Sequence, residues 1–290
     1  MNRPLWLAAA PAIFLLLWSA GFGIAKVGLE HAEPLTLLAL RYGLVLVVLV
    51  PVAAILRPPM PRSRRGWIDQ AVIGFLIQFA YFGFCYIAFK AGISAAGVAI
   101  IVCLQPILVA LAAPRFVGEI VSRRAWAGLV LGLAGAVTVI LARSGVAEVS
   151  TGGLLAAIGA LLGITLGTLY EKRHGVRQHP VTSNLIQYVV GAALTIPLAL
   201  ATEDFSVEWN AELVWVLAYL VIANSLLAMS LLLAMIRAGE VSRVSALFYL
   251  VPALAALIAW PLLGEEMPAV AWLGMAVAGV GVAMVNGKRA

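Results

Sequence analysis

Residues 21–42, GFGIAKVGLEHAEPLTLLALRY, return in outline 146 positions further along the chain as residues 167–188, GTLYEKRHGVRQHPVTSNLIQY. The identical residues in this register pair as Gly21 with Gly167, Lys26 with Lys172, Pro34 with Pro180, and Tyr42 with Tyr188. The register continues through Pro51 with Pro197, Pro106 with Pro252, Gly118 and Glu119 with Gly264 and Glu265, and Trp126 with Trp272, slipping by one residue between Lys90 and Arg237. We therefore predict two related halves, residues 1–145 and 146–290.

Both halves have the composition of a membrane protein. The chain contains 63% hydrophobic and 11% charged residues, whereas a soluble domain contains about 25% charged residues. Apolar runs of about twenty residues, the length of helix that crosses a bilayer, recur with short polar interruptions. We expect an all-α integral membrane protein that contacts the lipid bilayer and has no soluble catalytic domain. Cys85 and Cys103 lie inside apolar runs and imply no disulfide framework.

Charged residues, prolines and glycines divide the apolar sequence into ten predicted transmembrane helices. The first five are predicted at Leu5 to Val27, Pro34 to Leu56, Trp67 to Lys90, Ile93 to Ala113, and Arg124 to Ala142. The second five are predicted at Gly152 to Tyr170, Val181 to Ala201, Glu212 to Ile236, Val241 to Leu263, and Ala269 to Asn286.

The repeat and the number of helices together predict an inverted topology. Each half contains an odd number of helices, so the second half crosses the membrane upside down relative to the first. Inverted repeats are typical of secondary transporters, in which two halves move around a site near the middle of the membrane. Because inverted repeats also occur in channels, the repeat by itself predicts a transport protein and does not distinguish a carrier from a channel.

The distribution of charge predicts that both termini are cytoplasmic. Most of the 19 Lys and Arg residues fall on the side of the N-terminus, in segments such as Arg57 to Arg65 and Arg115 to Arg124. The opposite side carries most of the acids, including Glu30, Glu33 and Glu203. Cytoplasmic loops of membrane proteins are enriched in basic residues, and these loops face anionic lipid. The basic loops therefore account for the net charge of +6, and no nucleic-acid partner is needed to explain it.

Four stretches of the sequence carry a family resemblance. They are LWSAGFGIAKVGL (17–29), PLTLLALRY (34–42), AGVAIIVCLQPILVALAA (96–113) and ALFYLVPALAALIAWPLLGEE (246–266). With these stretches the chain resembles the drug/metabolite transporter superfamily, specifically its EamA-type members. The resemblance implies ten helices around a central cavity, with the fifth and tenth helices at the back. The aromatic third helix, FLIQFAYFGFCYIAF (75–89), is similar to the YddG group of amino-acid exporters, but EamA-type relatives also carry nucleosides, sugar phosphates, vitamins and polyamines.

The third predicted helix holds candidate substrate-binding residues. Gln78, Phe82 and Tyr86 recur every four residues, so in an α-helix they share one face. With Tyr81 nearby, this face offers aromatic surface and hydrogen bonds to a small amphipathic substrate. The alternative is ordinary helix packing and lipid contact, because aromatic residues are common near membrane interfaces.

Two prolines in repeat-equivalent positions predict interrupted helices. Pro106 follows Gln105 in the fourth helix, and Pro252 follows Tyr249 by three residues in the ninth. A proline inside a helix removes a backbone hydrogen bond and frees a carbonyl group. Gln105 and Tyr249 are therefore candidate substrate-binding residues, and the prolines are candidate hinges for gating. A structural kink without ligand contact is the alternative.

Arg41 is a charged residue well inside an apolar run, seven residues after Pro34 and thus about 10 Å into its helix. A charge at this depth usually faces a cavity or a partner. Arg41 either binds a substrate carboxylate or extends to the outer interface by snorkelling. Its repeat partner Gln187 precedes Tyr188, and both Tyr188 and Asn224 are further candidates for the cavity wall.

Lys26 and Lys172 end repeat-equivalent helices on opposite sides of the membrane. This placement suits either contacts in a gate or anchoring at the interface. Small residues predict close helix packing at Gly128, Gly132, Gly159, Gly163 and Gly167. The sequence leaves the oligomeric state open.

The residues that an intramembrane enzyme needs are missing from the predicted helix interiors. His31, His174 and His179 lie in loops or at helix ends, and the sequence contains no GxSxG, HExxH or P-loop pattern. We therefore expect no catalytic residues, no metal site and no cofactor. Since no Asp or Glu lies in the middle of a predicted helix, transport is expected to be passive or coupled without a membrane-embedded acid.

These observations and the resemblance lead to one functional prediction. The chain is expected to be a secondary transporter that exports small-molecule substrates by alternating access across the inner membrane of a bacterium. The expected substrates are aromatic and other neutral amino acids, such as methionine or threonine. The alternative is an EamA-type carrier of another small metabolite, namely a nucleoside, a sugar or a drug-like compound.

Overall fold

The computed structural model describes residues 5–93, 95–143, 150–175, 178–263 and 268–287. Within these ranges it is built from helices, and ten of them are long and apolar enough to cross a membrane. The first half contains α1 (Leu5–Gly28), α2 (Pro34–Leu56), α3 (Arg64–Lys90), α4 (Ala95–Val102 and Gln105–Phe116) and α5 (Arg123–Arg143). The second half contains α6 (Thr151–His174), α7 (Pro180–Thr202), α8 (Ala211–Ala238), α9 (Val241–Ala246, Leu247–Leu250 and Val251–Leu263) and α10 (Ala269–Asn286). The all-α prediction and the ten predicted helices are confirmed.

Local sequence explains where several helices begin. Proline occupies the first turn of both α2 and α7, a position at which its missing N–H group costs nothing. Side-chain oxygens cap other helices: Ser150 accepts a hydrogen bond from the Gly153 amide at 3.1 Å in α6. Asn210 accepts one from the Leu213 amide at 2.8 Å in α8. These caps satisfy amides that have no partner within the helix.

The helix contacts repeat between the two halves. Two pairs join equivalent helices, α2 with α7 and α5 with α10. The remaining major contacts come in matched sets, since α1 packs on α8 as α6 packs on α3, and α1 packs on α9 as α6 packs on α4. Exchanging the halves therefore preserves the contact pattern, as expected for two halves related by a two-fold axis. The division at residues 145 and 146 stays a prediction.

Glycines allow α5 and α10 to pack closely against each other. A Cβ atom added to Gly135 would lie 2.3 Å from the backbone nitrogen of Ala278, and one added to Gly281 would lie 2.4 Å from that of Gly132. The predicted glycines of α6 have the same role against α3, because a Cβ atom on Gly163 would lie 2.8 Å from the backbone nitrogen of Tyr81. Small residues of this kind bring helix backbones together in membranes.

Four helices are irregular, and their irregularities are also repeat-equivalent. Residues Phe75–Gly83 of α3 and Leu220–Ala228 of α8 form π-helical segments. Helix α4 is interrupted just before Gln105–Phe116, and α9 contains a 3₁₀ turn at Leu247–Leu250. Pro106 and Pro252 lie in the first turn after these interruptions, so the predicted breaks are present, whereas their role as hinges remains a prediction. The repeat partner of Glu119, Glu265, lies outside the described residues.

Candidate functional site

A cavity of about 230 Å³ lies between α1, α2, α3 and α8. Its lining consists of Trp18, Gly21, Ala25, Lys26, Leu29, Arg41, Tyr81, Phe82, Cys85, Tyr86, Phe89, Ile93 and Asn224. Pockets for drug-sized ligands measure about 300–1,000 Å³. The cavity is therefore matched to a small metabolite.

The cavity runs from one end of the helix bundle to its middle. At one limit are Leu29 and Ile93, which follow the ends of α1 and α3. The other limit is Trp18, ten residues before the end of α1 at Gly28, or about 15 Å along that helix. We call the end where α1 finishes the far end, and the end where α1 begins the near end. The cavity extends from the far end to about half the depth of a bilayer.

Aromatic rings form the floor of the cavity. The Trp18 ring centroid lies 5.9 Å from that of Phe82 and 5.8 Å from that of Phe248. Phe14 extends the cluster towards the near end, with its centroid 5.6 Å from that of Phe248. Edge-to-face and tilted ring pairs at these distances are favourable. The floor therefore separates the cavity from the near end and presents aromatic surface to a ligand.

Arg41 is the buried charge of this cavity. Its side chain is 2% exposed. Its Nε donates to Ser225 Oγ at 2.7 Å and an Nη donates to Asn224 Oδ1 at 2.8 Å. The guanidinium carbon lies 4.7 Å from the centroid of the Phe82 ring, within the range of a cation–π interaction. The snorkelling alternative is wrong, because α8 holds the guanidinium inside the bundle.

Two tyrosines connect the irregular helices at the centre of the molecule. The Tyr42 hydroxyl donates to the Gln78 carbonyl at 2.6 Å, and the Tyr188 hydroxyl donates to the Ser225 carbonyl at 3.1 Å. Their rings meet edge to face with centroids 5.5 Å apart. Because a π-helical segment departs from regular i→i+4 bonding, these hydroxyls supply partners to backbone groups that lipid cannot satisfy. Tyr188 thus supports α8 and does not line the cavity.

The structure brings together five of the predicted site residues. Arg41, Tyr81, Phe82, Tyr86 and Asn224 all line the cavity. The Tyr86 hydroxyl is buried beside the Arg41 guanidinium, without a partner at good hydrogen-bond geometry in the described part of the chain. It is therefore available to a polar group of a ligand.

Gln78 does not share the cavity-lining face with Phe82 and Tyr86. The α-helical spacing does not describe this part of α3, because Gln78 and Phe82 lie in the π-helical segment, whose hydrogen bonds follow an i→i+5 pattern. The Gln78 side chain lies against α7. A Cβ atom added to Gly191 of α7 would be 2.7 Å from the Cβ atom of Gln78. Its amide has no hydrogen-bond partner among the described residues.

Gln105 and Tyr249 also lie outside the cavity. The Gln105 amide donates to Ser245 Oγ at 3.3 Å and to Thr168 Oγ1 at 3.5 Å, joining α4 to α9 and α6. Tyr249 is buried behind the cavity, and its ring occupies the space beside Gly132 of α5. Pro106 and Pro252 are likewise absent from the cavity lining.

Trp18 and Ser225 are site residues that the sequence analysis did not select. Trp18 forms the floor, and Ser225 binds Arg41 and Tyr188 through different oxygens. Trp18 lies three residues before Gly21, a residue of the internal repeat, and this position could have marked it as a candidate from the sequence. Ser225 carries no comparable signal, because serine is common in membrane helices and its partners lie 184 and 37 residues away.

The near end is closed by a polar network. Lys172 at the end of α6 donates from Nζ to the carbonyls of Arg237 at 3.2 Å and Gly239 at 2.6 Å. Arg237 in turn pairs with the buried Glu171 at 2.6 Å. Glu119 accepts a hydrogen bond from the Val241 amide at 2.7 Å, which joins the end of α4 to the start of α9.

The far end is closed only beside the cavity. Lys90 lies 3.4 Å from Glu33 and 3.5 Å from Glu203, joining α2, α3 and the end of α7. Lys26, the repeat partner of Lys172, is exposed at the cavity mouth and has no ion pair or hydrogen bond with the residues that the structure describes. The two ends therefore differ although their sequences are related.

The family of this chain follows from its match to a protein-family model. The model described as the EamA-like transporter family matches residues 5–141 and again residues 151–287. The chain belongs to the EamA-like transporter family. Both matches together cover most of this EamA-like transporter, as the resemblance of its sequence predicts.

Curated relatives of this EamA-like transporter are also named as transporters. The "Uncharacterized transporter YvbV" of Bacillus subtilis is 26% identical over 96% of this chain and 90% of its own length. The "Probable amino-acid metabolite efflux pump" of Salmonella typhimurium is 26% identical over 94% of this chain and 91% of its own length. The "Uncharacterized inner membrane transporter YedA" of Escherichia coli K12 is 24% identical over 95% and 89%, respectively.

A solved crystal structure has the same fold, with a TM-score of 0.83 and 21% sequence identity over 98% of this chain and 97% of the other. The family and the named relatives identify the protein as a transporter and not an enzyme. The membrane-spanning helices and the inner-membrane relatives place it in the bacterial inner membrane as a multi-pass protein.

Proposed function

We propose that this EamA-like transporter exports neutral amphipathic amino acids by alternating access, with the cavity beside Arg41 as its substrate site. The observation that carries the proposal is a metabolite-sized cavity that combines aromatic surface with hydrogen-bonding groups. Phe82 and Trp18 supply the surface, and the Tyr86 hydroxyl beside Arg41 supplies a hydrogen bond. Aromatic and aliphatic amino acids such as phenylalanine, tryptophan and methionine match this lining.

The relatives support the substrate class. The Salmonella typhimurium relative is named a probable amino-acid metabolite efflux pump, and so is a relative from Escherichia coli that is 24% identical over 90% of this chain. The aromatic third helix is similar to the YddG group of amino-acid exporters, which points in the same direction. The direction of transport in this proposal rests on these similarities.

The unequal ends support alternating access. Lys172 binds the carbonyls of Arg237 and Gly239 at the near end. The repeat-equivalent carbonyls at the far end belong to Lys90 and Gly92, which in sequence lie between the cavity-lining residues Phe89 and Ile93. In the opposite conformation Lys26 would bind these carbonyls and Lys172 would release its own, so each half would adopt the arrangement of the other.

Transport by the purified protein in liposomes tests the proposal. Labelled phenylalanine, methionine, threonine, a nucleoside and a sugar would be offered, and we expect saturable uptake of the amino acids. Tyr86→Phe should raise the KM for phenylalanine severalfold with little change in the unfolding temperature, because the hydroxyl makes no hydrogen bond of good geometry within the described part of the protein.

A matched pair of substitutions in α3 completes the experiment. Phe82→Leu should weaken phenylalanine uptake, because its ring lines the cavity. Phe75→Leu is the control, because Phe75 lies on the same helix with 45% exposure and outside the cavity. Uptake of the nucleoside or the sugar without the amino acids would refute the substrate assignment. Equal effects of the two substitutions would refute the placement of the site.

A further inference from the structure

The cavity contains positive charge and no described acidic residue. Arg41 and Lys26 are the charged side chains in its lining, which includes neither Asp nor Glu among the residues that the structure describes. Lys26 is exposed at the mouth, where solvent reduces the influence of its charge. Arg41 lies at the inner part of the cavity and is only 2% exposed to solvent. The field in the cavity is therefore positive and strongest near Arg41.

The partners of Arg41 leave its charge uncompensated. Ser225 and Asn224 accept two of its N–H groups, and both side chains are neutral. A guanidinium group has five N–H donors in a planar fork that matches a carboxylate. An ionised group that is buried without an opposite charge is costly. A ligand carboxylate would reduce this cost and form charge-assisted hydrogen bonds.

We propose that Arg41 anchors the carboxylate of the transported molecule, and that the cavity selects carboxylates with an apolar or aromatic tail whether or not they carry an amino group. This inference rests on the proposed function, because it requires the substrate to occupy this cavity. The tail would contact the rings of Trp18 and Phe82. An ammonium group has no acidic partner among the described lining residues, so it contributes little to binding. A cationic amine without a carboxylate is repelled.

Three compounds with the same phenyl ring and two-carbon link isolate the charged groups. They are 3-phenylpropanoate, phenylalanine and 2-phenylethylamine, offered singly to the reconstituted protein and as competitors of phenylalanine uptake. We expect 3-phenylpropanoate to compete at least as well as phenylalanine, and 2-phenylethylamine to compete at least tenfold less well. Equal competition by the amine would overturn the inference while leaving the proposed function intact. Absence of uptake and competition for all three would refute both.

Asn224→Asp provides a second test that does not depend on removing the arginine. The new carboxylate would lie where Oδ1 now accepts from Arg41 at 2.8 Å, so it would neutralise the guanidinium from within the protein. We expect the variant to unfold at a temperature no lower than that of the wild type, because the pair replaces an unpaired buried charge. Its affinity for 3-phenylpropanoate should fall at least tenfold.

Asn210→Asp is the matched control for this substitution. Asn210 caps α8 at the far end, outside the cavity lining, and aspartate caps a helix as well as asparagine does. The control should keep the wild-type affinity for 3-phenylpropanoate. Undiminished affinity in Asn224→Asp, with the variant folded, would overturn the role of Arg41. A loss in Asn224→Asp that exceeds the loss in the control tenfold would support it.

Discussion

At the scale of single residues, the role of each buried charge in this protein depends on the groups that face it. Arg41 faces neutral groups from α8, whereas Glu203 at the far end faces several donors. The Glu203 carboxylate accepts from the backbone amides of Leu35 at 3.0 Å and Thr36 at 2.7 Å, and from the Thr36 hydroxyl at 2.8 Å. A buried acid with donors of this kind stabilises the fold, whereas a buried cation whose partners are all neutral can still pair with the charge of a ligand.

Glu203→Gln is expected to destabilise the protein. The side chain of Glu203 is fully buried, and a glutamine would turn an NH₂ group towards one of the donors at the start of α2. The expected loss is about 1–3 kcal/mol in the free energy of unfolding, the cost of unsatisfied hydrogen bonds to a charged group. Thermal unfolding of the detergent-purified variant would show a lower midpoint than the wild type.

Glu208→Gln is the control at the same end of the molecule. The Glu208 side chain is 78% exposed, and its distance to His31 Nδ1 is 3.9 Å, so the loss of its charge should leave the midpoint unchanged. A midpoint for Glu203→Gln that equals that of this control would show that the carboxylate does not hold α2 and α7 together.

At the scale of helices, close packing and irregular segments divide the molecule into a back and a centre. The contact between α5 and α10 depends on glycines whose neighbours are backbone atoms, which cannot move aside independently. The centre depends on the π-helical segments of α3 and α8, which turn polar groups towards α2 and α7. The back is therefore rigid, whereas the centre carries the irregular backbone that often marks functional sites.

Gly281→Ala and Gly279→Ala should affect stability differently although both lie in α10. A Cβ atom on Gly281 would lie 2.4 Å from the Gly132 nitrogen, whereas one on Gly279 would have no neighbour within 4 Å in the described structure. Overpacking at Gly281 should cost about 1–3 kcal/mol. Alanine at Gly279 should be neutral or stabilise the helix by up to about 1 kcal/mol.

The unfolding midpoints of the two variants in the same detergent would check this prediction. A lower midpoint for Gly281→Ala, together with an unchanged or higher midpoint for Gly279→Ala, is the expected pattern. Equal midpoints would mean that α5 and α10 can separate without loss of stability, contrary to the packing described above.

At the scale of the whole molecule, related sequences at the two ends have different partners. The lysine at the end of α6 is bound to α8, while its counterpart at the end of α1 faces an open cavity mouth. Two halves with the same contact pattern thus occupy different arrangements. Such an asymmetry is what alternating access requires of each conformation.

Lys172→Met is expected to reduce access to the far end. Its loss removes hydrogen bonds that close the near end, and each bond from a charged donor is worth about 1.5–3 kcal/mol, so the population should shift about tenfold or more. The measurement is the reaction of a membrane-impermeant thiol reagent with Leu29→Cys in intact cells, in a background with Cys85 and Cys103 replaced by alanine. We expect slower labelling in Lys172→Met.

Arg173→Met is the control, because Arg173 is the next residue and is exposed. Labelling in this variant should match that of the parent. Equal labelling rates in both methionine variants would show that Lys172 does not help to close the near end. The same assay tests the predicted topology, since labelling from outside requires that both termini are cytoplasmic. Labelling confined to inside-out vesicles would reverse that orientation.

The amino-acid sequence by itself determined the spans, the internal repeat and the residues that stand out against an apolar background. A bilayer imposes a helix length and excludes unpaired charge, so spans such as Pro34–Leu56 and the exceptional position of Arg41 are visible without neighbours. The breaks at Pro106 and Pro252 were predictable for a similar reason, because proline acts on its own helix.

Only the tertiary structure decided which groups meet. The partnership of Arg41 with Ser225 joins residues 184 positions apart, and a four-residue spacing does not encode that Gln78 lies in a π-helical segment and packs against α7. The contrast between Lys26 and Lys172 likewise appears only in three dimensions, because the repeat makes them equivalent in sequence. Helix rotation and lateral neighbours are set by long-range packing in the membrane, and a local pattern of hydrophobic residues does not contain that information.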